Sequence, residues 1–234
     1  MNDVAAPQLA QDGWLSGLIG RPAYHLSTPS RVIDAPRTVL PQESPVFVDT
    51  KVPADAPHLA FPLHQVGFVT VDTNLLFSRP TVQNQPPLFS RFATPDDLPH
   101  ISWMGEYCFR FSRFHLDPKI GEKTGNAVKK AWVENYFSGK RGDYMVVAEI
   151  DGRVAGFTQL LSRGDDLVID LIAVHPDFRG RAVSADMMNF AGSNCGRHKT
   201  LSAGTQAANA SAIRTYIKDG FQFQKATYVL HFHG

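Results

Sequence analysis

Between Asp143 and Val174 three apolar runs, DYMVVAEI, RVAGFTQLLSR and DLVIDLIAV, are separated only by Asp151-Gly152 and Gly164-Asp165. Breaks this short join strands antiparallel, because a parallel return needs a crossover of a dozen residues or more. Asp-Gly also suits a primed two-residue turn, whose backbone follows the twist of a hairpin. The chain then changes rhythm. The segment AVHPDFRGRAVSADMM leads into a helical pattern over about 182–196, followed by a short strand at 199–204, a helix at 209–219 and two strands after Gly220. An antiparallel opening that passes into strand–helix–strand alternation predicts an α/β fold: a mixed, mostly antiparallel sheet with flanking helices.

Upstream, LFSRFA at 88–93 reads as a strand, and the next helix begins at Thr94 with Pro95 in its first turn. SRFHLDP at 112–118 reads as a loop. In the helix after it, Val128, Ala131, Trp132 and Asn135 share a face and Gly139 marks the end. The first 80 residues are less regular: a proline-rich stretch over 27–62 holds the β-type VFVDTKV, a short helix is predicted over about 54–65, and GFVTVDTNLLF at 67–77 alternates as a half-buried strand does. The polar, proline-bearing SRPTVQNQPP at 78–87 reads as a linker, dividing the chain into 1–86 and 87–234.

The 234 residues are 43% hydrophobic and 19% charged, enough to bury a core. A formal net charge of +1 gives no broad field for nucleic acid or an anionic membrane. Two cysteines without metal-type spacing fit a reducing compartment. MNDVAAPQLAQDGW lacks the basic start and apolar core of a secretory signal, and no apolar run reaches the ~20 residues of a membrane span. A cytoplasmic protein without nucleic-acid or membrane partners is expected.

Arg179, Gly180 and Arg181 sit where the third strand meets a helix. Backbone amides at a helix start, with arginines beside them, can hold a pyrophosphate. A plain strand-to-helix turn with two solvated arginines reads equally well. Phosphate loops usually carry more glycine, since it permits positive φ and close approach. If all φ values here are negative, Ala182 and Ser184 are tolerated, and the loop is tighter but functional. Further on, Asn209, Ile213 and Tyr216 fall on one helical face with Asn209 as a natural N-cap. A helical tyrosine of this kind is more often core packing. His231 and His233 share a strand face, but two such residues seldom make a metal site, and none is predicted. The aromatics Phe109, Phe111 and Phe114 read as core, with base stacking a minor alternative.

The order of elements, AVHPDFRGRAVSADMM and NASAIRTYIKDGF at 209–221 resemble the GCN5-related N-acetyltransferase (GNAT) family. Its acyl-CoA motif runs Gln or Arg, two residues, Gly, one residue, Gly or Ala. Arg179 fits the first place, Ala182 stands where the middle glycine would be, and Ser184 takes the last small position. SRFHLDP, VKKAWVENYFSG at 128–139, WLSGLIGRPAYHLS and GFVTVDTNLLFSR narrow the resemblance to TDP-fucosamine acetyltransferase-type nucleotide-amino-sugar N-acetyltransferases. In these a truncated GNAT-like half-domain precedes the complete acetyltransferase domain.

The resemblance implies acetyl-CoA as cosubstrate, no metal, and a homodimer. It places the cofactor along Ile172, Ala173, Val174, Arg179, Gly180, Arg181, Ala182, Val183, Ser184 and Asn209. Tyr216 would protonate the departing thiolate, since a phenol keeps its proton at neutral pH. Arg113, His115 and Asp117 would contact the nucleotide-linked amino-deoxysugar. His115 and a water chain remain equal candidates for removing the amine's proton. A protein, peptide or small-amine acceptor is the alternative, as is a silent acyl-CoA-binding module.

Overall fold

The computed structural model describes residues 8–27, 40–83 and 85–234, so residues 28–39 of the proline-rich 27–62 stretch lie outside the described residues. The strands are β1 (Gln8–Gln11), β2 (Ala23–Ser27), β3 (Phe47–Pro53), β4 (Val69–Pro80), β5 (Ser90–Phe92), β6 (Tyr144–Ile150), β7 (Arg153–Arg163), β8 (Asp166–Val174), β9 (Thr200–Gln206) and β10 (Gln222–His233). The helices are α1 (Gly13–Ile19), α2 (Phe61–Gln65), α3 (Leu98–Tyr107), α4 (Arg113–Leu116), α5 (Glu122–Phe137), α6 (Val183–Asn194) and α7 (Ala210–Lys218). All ten strands form one sheet in the order β1-β2-β3-β10-β4-β9-β8-β7-β6-β5. Among the described strands only β2–β3 and β8–β9 pair in parallel, as the mixed-sheet reading requires.

The two short breaks behave as their residues dictate. Asp151 and Gly152 take φ of 51° and 72° between β6 and β7, and Gly164 takes 60° between β7 and β8. Side chains from α3 and α5 (Ile101, Met104, Val133) cover one face of β6–β8 against Val147, Phe157 and Leu171. On the other face, α6 contributes Met187, Met188 and Ala191, and α7 contributes Tyr216, against Val146, Leu160 and Leu201. A smaller core between Leu15, Ala23, Phe47, Phe114 and Val128 joins α1, β2 and β3 to α4 and α5.

Three sequence expectations are corrected. The segment at 78–87 is not simply a linker: Ser78, Arg79 and Pro80 continue β4 and pair with β9. Beyond them Thr81 donates to the His198 carbonyl at 2.5 Å and Gln83 to that of Gly192 at 2.7 Å. SRFHLDP contains a helical turn, α4, in which the His115 and Leu116 amides bond the Ser112 carbonyl. In place of two strands after Gly220 there is one, β10, irregular near Phe223–Lys225 and Val229–Leu230 and paired with β3 on one edge and β4 on the other. Bulges absorb the breaks in alternation that the sequence shows as a strand boundary. Strands from either side of residue 86 alternate in the sheet, because β4 lies between β9 and β10.

Candidate active site

The site begins with one extra residue. Gln159 of β7 is opposite Leu171, but Leu160 is opposite Ile169, which leaves Asp170 without a partner in the ladder. Such a bulge bends a strand and resets its facing. Accordingly Leu167 and Ile169 point into the α6 core, whereas Leu171 and Ala173 enter the α3–α5 core. The same point ends the pairing with β9, which runs only from Asp166↔Thr200 to Ile169↔Ala203. β8 continues to Val174 and β9 to Gln206, so the two strands part in a V with its vertex at Asp170. The edge of β8 from Asp170 onward has no strand beside it there.

At the open end of the V, a short turn over Pro176–Phe178 leads into the 179–184 loop. Arg179 donates from Nε to the Val174 carbonyl at 3.3 Å, and Arg181 lies over the Phe178 ring. Gly180 has φ of 80°, with open space where a Cβ would be. Ala182 has φ of 59° and ψ of 17°, a left-handed conformation, as the N-cap of α6. The condition of negative φ throughout is therefore not met. The loop keeps a glycine-type path with an alanine in it, at a cost of about 1–2 kcal/mol. No side chain caps α6. The first-turn acid Asp186 instead accepts from the Leu88 and Phe89 amides and the Ser90 hydroxyl. The amide-rich start of α6 thus remains available to an anion. Val183 is buried in the core and Ser184 is half-buried.

α7 follows β9 directly in the chain. Asn209 caps it, its Oδ1 accepting from the Ala212 amide at 3.2 Å, which leaves its NH2 as a donor. Ile213, Ile172 and Val174 pack against the core that contains Tyr216, so the free edge of β8 and the predicted face of α7 share one apolar environment. The Tyr216 ring lies 5.9 Å from Phe77 and 5.2 Å from Phe221. Burial, with Asp219 adding to it, pushes its phenol above the ordinary range and keeps the proton on.

The three residues expected on the acceptor side each have partners within the protein. Arg113 pairs with Asp49, which also meets His25, and burial pulls the Arg113 guanidinium down to about 10. His115 has both ring nitrogens engaged, Nδ1 with Ser112 Oγ at 2.6 Å and Nε2 with Asn126 Oδ1 at 2.8 Å. Asp117 is bound by His231 Nδ1 and His233 Nε2, each at 2.7 Å, and by the Lys119 amide. Arg21 lies 2.6 Å from His233 Nδ1, which makes that nitrogen an acceptor and Nε2 the donor to Asp117. Asp117, His231 and His233 are close enough to hold a metal ion, yet these hydrogen bonds already account for their meeting.

Sequence reasoning missed Asp170. Its carboxylate accepts from Arg141 Nε (2.7 Å) and NH2 (2.6 Å), Trp132 Nε1 (2.9 Å) and Gln159 Nε2 (3.0 Å). The signal was an acid in the middle of the apolar run DLVIDLIAV. Lys129 stands nearby, its ammonium over the Phe109 and Trp132 rings, and burial lowers it to about 8.

Residues 141–223 match the acetyltransferase (GNAT) domain model, a span that holds the V, the 179–184 loop and Tyr216. Over that span the chain carries a GNAT acetyltransferase domain. In sequence it is similar to the spore coat polysaccharide biosynthesis protein SpsD of Bacillus subtilis (strain 168), 28% identical over 207 residues, covering 86% of this chain and 71% of SpsD. In fold it is similar to a functionally unknown conserved protein of Staphylococcus epidermidis, at TM-score 0.66 and 13% identity, with 99% of this chain and 94% of that one covered. A GCN5-related N-acetyltransferase from Kribbella flavida superposes at TM-score 0.62 and 13% identity, covering 99% and 89%. Among the described residues no helix is long and apolar enough to cross a membrane.

Proposed function

We propose that the protein transfers an acetyl group from acetyl-CoA to the amine of a nucleotide-linked amino-deoxysugar. The observation that carries this reading is the V between β8 and β9, with the uncapped start of α6 at its open end. The free edge of β8 suits an extended, amide-bearing arm, which can add to it as a further strand does. Gly180, the uncapped α6 amides and the two arginines suit the pyrophosphate at the other end of such an arm. Backbone N–H groups of the unpaired β8 edge suit the stabilisation of negative charge on a thioester oxygen.

Acyl transfer here forms a bond between the amine nitrogen and the acetyl carbon and breaks the carbon–sulfur bond. Tyr216, buried and protonated, gives its proton to the departing sulfur and is reprotonated from solvent, to which the amine releases its own proton. Similarity to a polysaccharide biosynthesis protein, with the resemblance of SRFHLDP and VKKAWVENYFSG, supports a sugar as the acceptor. The test is release of free thiol from acetyl-CoA with a panel of amino-sugar nucleotides, peptides and small amines. Release confined to the amino-sugar nucleotides is expected. Release with peptides or simple amines alone would move the acceptor class, and no release despite cofactor binding would make the chain a binding module.

A further inference from the structure

On the α5 face of the sheet lies a cavity of about 380 Å³ that no residue of the V explains. Its walls come from both ends of the chain: Asp12 and Trp14 from the start of α1, Arg113 and Trp132 from α4 and α5, and Lys140 and Arg141 from the turn before β6. A second hollow of about 280 Å³ continues from it and shares Lys140 and Arg141. The volume falls within the range of small-molecule sites, roughly 300–1,000 Å³.

The lining combines two chemistries. Trp14 stands edge-on to Trp132 at 6.0 Å and is 36% exposed, so an indole remains accessible to a ligand. Around it stand three cations. Arg113 and Arg141 each engage one carboxylate, Asp49 and Asp170, and each guanidinium has further N–H groups to donate. Lys140 forms no ion pair among the described residues. Asp12 is occupied as the cap of α1, accepting from the Leu15 amide at 2.8 Å. Rings beside cations suit a flat ring system that carries an anionic chain. The cavity is also tied to the vertex of the V, because Asp170 bonds both Trp132 and Arg141.

We infer that this cavity holds the nucleoside diphosphate portion of the acceptor, with Trp14 against the base and Lys140 and Arg141 on the diphosphate. The inference rests on the proposed sugar-nucleotide reading and adds to it that α1, far from the acetyltransferase segment in sequence, decides which acceptor is taken. Asp170 is then a positioning residue that sets the wall of the acceptor site against the edge of β8.

The test is calorimetric titration of thymidine diphosphate into the full chain already saturated with CoA, which removes binding at the cofactor loop. Saturable binding is expected, with thymidine and inorganic pyrophosphate each much weaker. Trp14→Ala and Lys140→Glu should each weaken it at least about tenfold, while CoA affinity stays unchanged. No binding in the presence of CoA, or binding that both variants leave intact, would overturn the inference. If thymidine diphosphate fails to bind while some amine is acetylated, the cavity assignment falls and the transferase stands. If it binds and both variants weaken it, but no acceptor releases thiol, the cavity assignment stands and the transferase falls.

Discussion

Ala182 holds a backbone conformation that a side chain resists, at the place where the family's motif has glycine. Ala182→Gly should therefore stabilise the fold by about 1 kcal/mol, read as a rise in the urea midpoint, and tighten acetyl-CoA binding. A loss of stability would mean that residue 182 is not left-handed in solution. Tyr216→Phe removes one oxygen from a buried ring, so the expected outcome is a fall in kcat of at least about tenfold with little change in the KM for acetyl-CoA. Unchanged turnover would take the proton donor elsewhere. Both residues were visible in the sequence, but unequally. Asn209, Ile213 and Tyr216 are set by helical spacing, which is local. The φ of Ala182 is imposed by the strand before it and the helix after it, and no property of alanine announces it. Asp170 was passed over for the same reason, since a bulge is a relation between two strands.

At the scale of elements, the β7–β8–α6 contact leaves no room. A Cβ on Gly156 would lie 2.9 Å from the Ala173 carbonyl oxygen and 3.0 Å from Met187 Cε. Gly156→Ala should cost about 1–3 kcal/mol as those elements shift apart, measured as a lowered urea midpoint; a neutral substitution would contradict this packing. A second element contact is pH-dependent. His231 is lowered to about 4, first by burial, against ~6.5 in an unfolded chain. Burial alone would raise the Asp117 carboxyl, but hydrogen bonds from His231, His233 and the Lys119 amide hold it well below the usual range. The unfolded chain thus binds more protons than the folded one between about pH 4 and ~6.5, and this contact's contribution is lost as the pH falls through that window. Asp72, raised by burial to about 6, works in the opposite sense, so the contact is best followed locally. The His231 ring resonances should titrate near pH 4; a midpoint near 6.5 would show that the ring is not buried against Asp117. Periodicity indicated α5 and the hairpin strands to within a few residues. It split β10 in two because its irregular points interrupt the alternation that marks a strand.

Across the whole molecule, β4 separates β9 from β10, and both of its edges are paired. A chain beginning at residue 87 would leave β9 with an unpaired edge and Phe77 missing from the core. That fragment should fail to give a cooperative unfolding transition, whereas an independently folding fragment would show that β4 is dispensable. The sequence did announce a mixed sheet, because two-residue breaks and strand–helix alternation are local signals. It did not announce the insertion of β4, since strand order depends on pairing partners far apart in the chain. What joins these scales is the V at Asp170: one extra residue in β8 frees an edge, and the loop at its end offers amides to an anion. Amide hydrogen exchange with and without acetyl-CoA tests this most directly. New protection is expected at residues 170–174 and 180–184, with β6 and β7 unchanged. Acetyl-CoA binding that leaves both segments unprotected would contradict a cofactor site in the V.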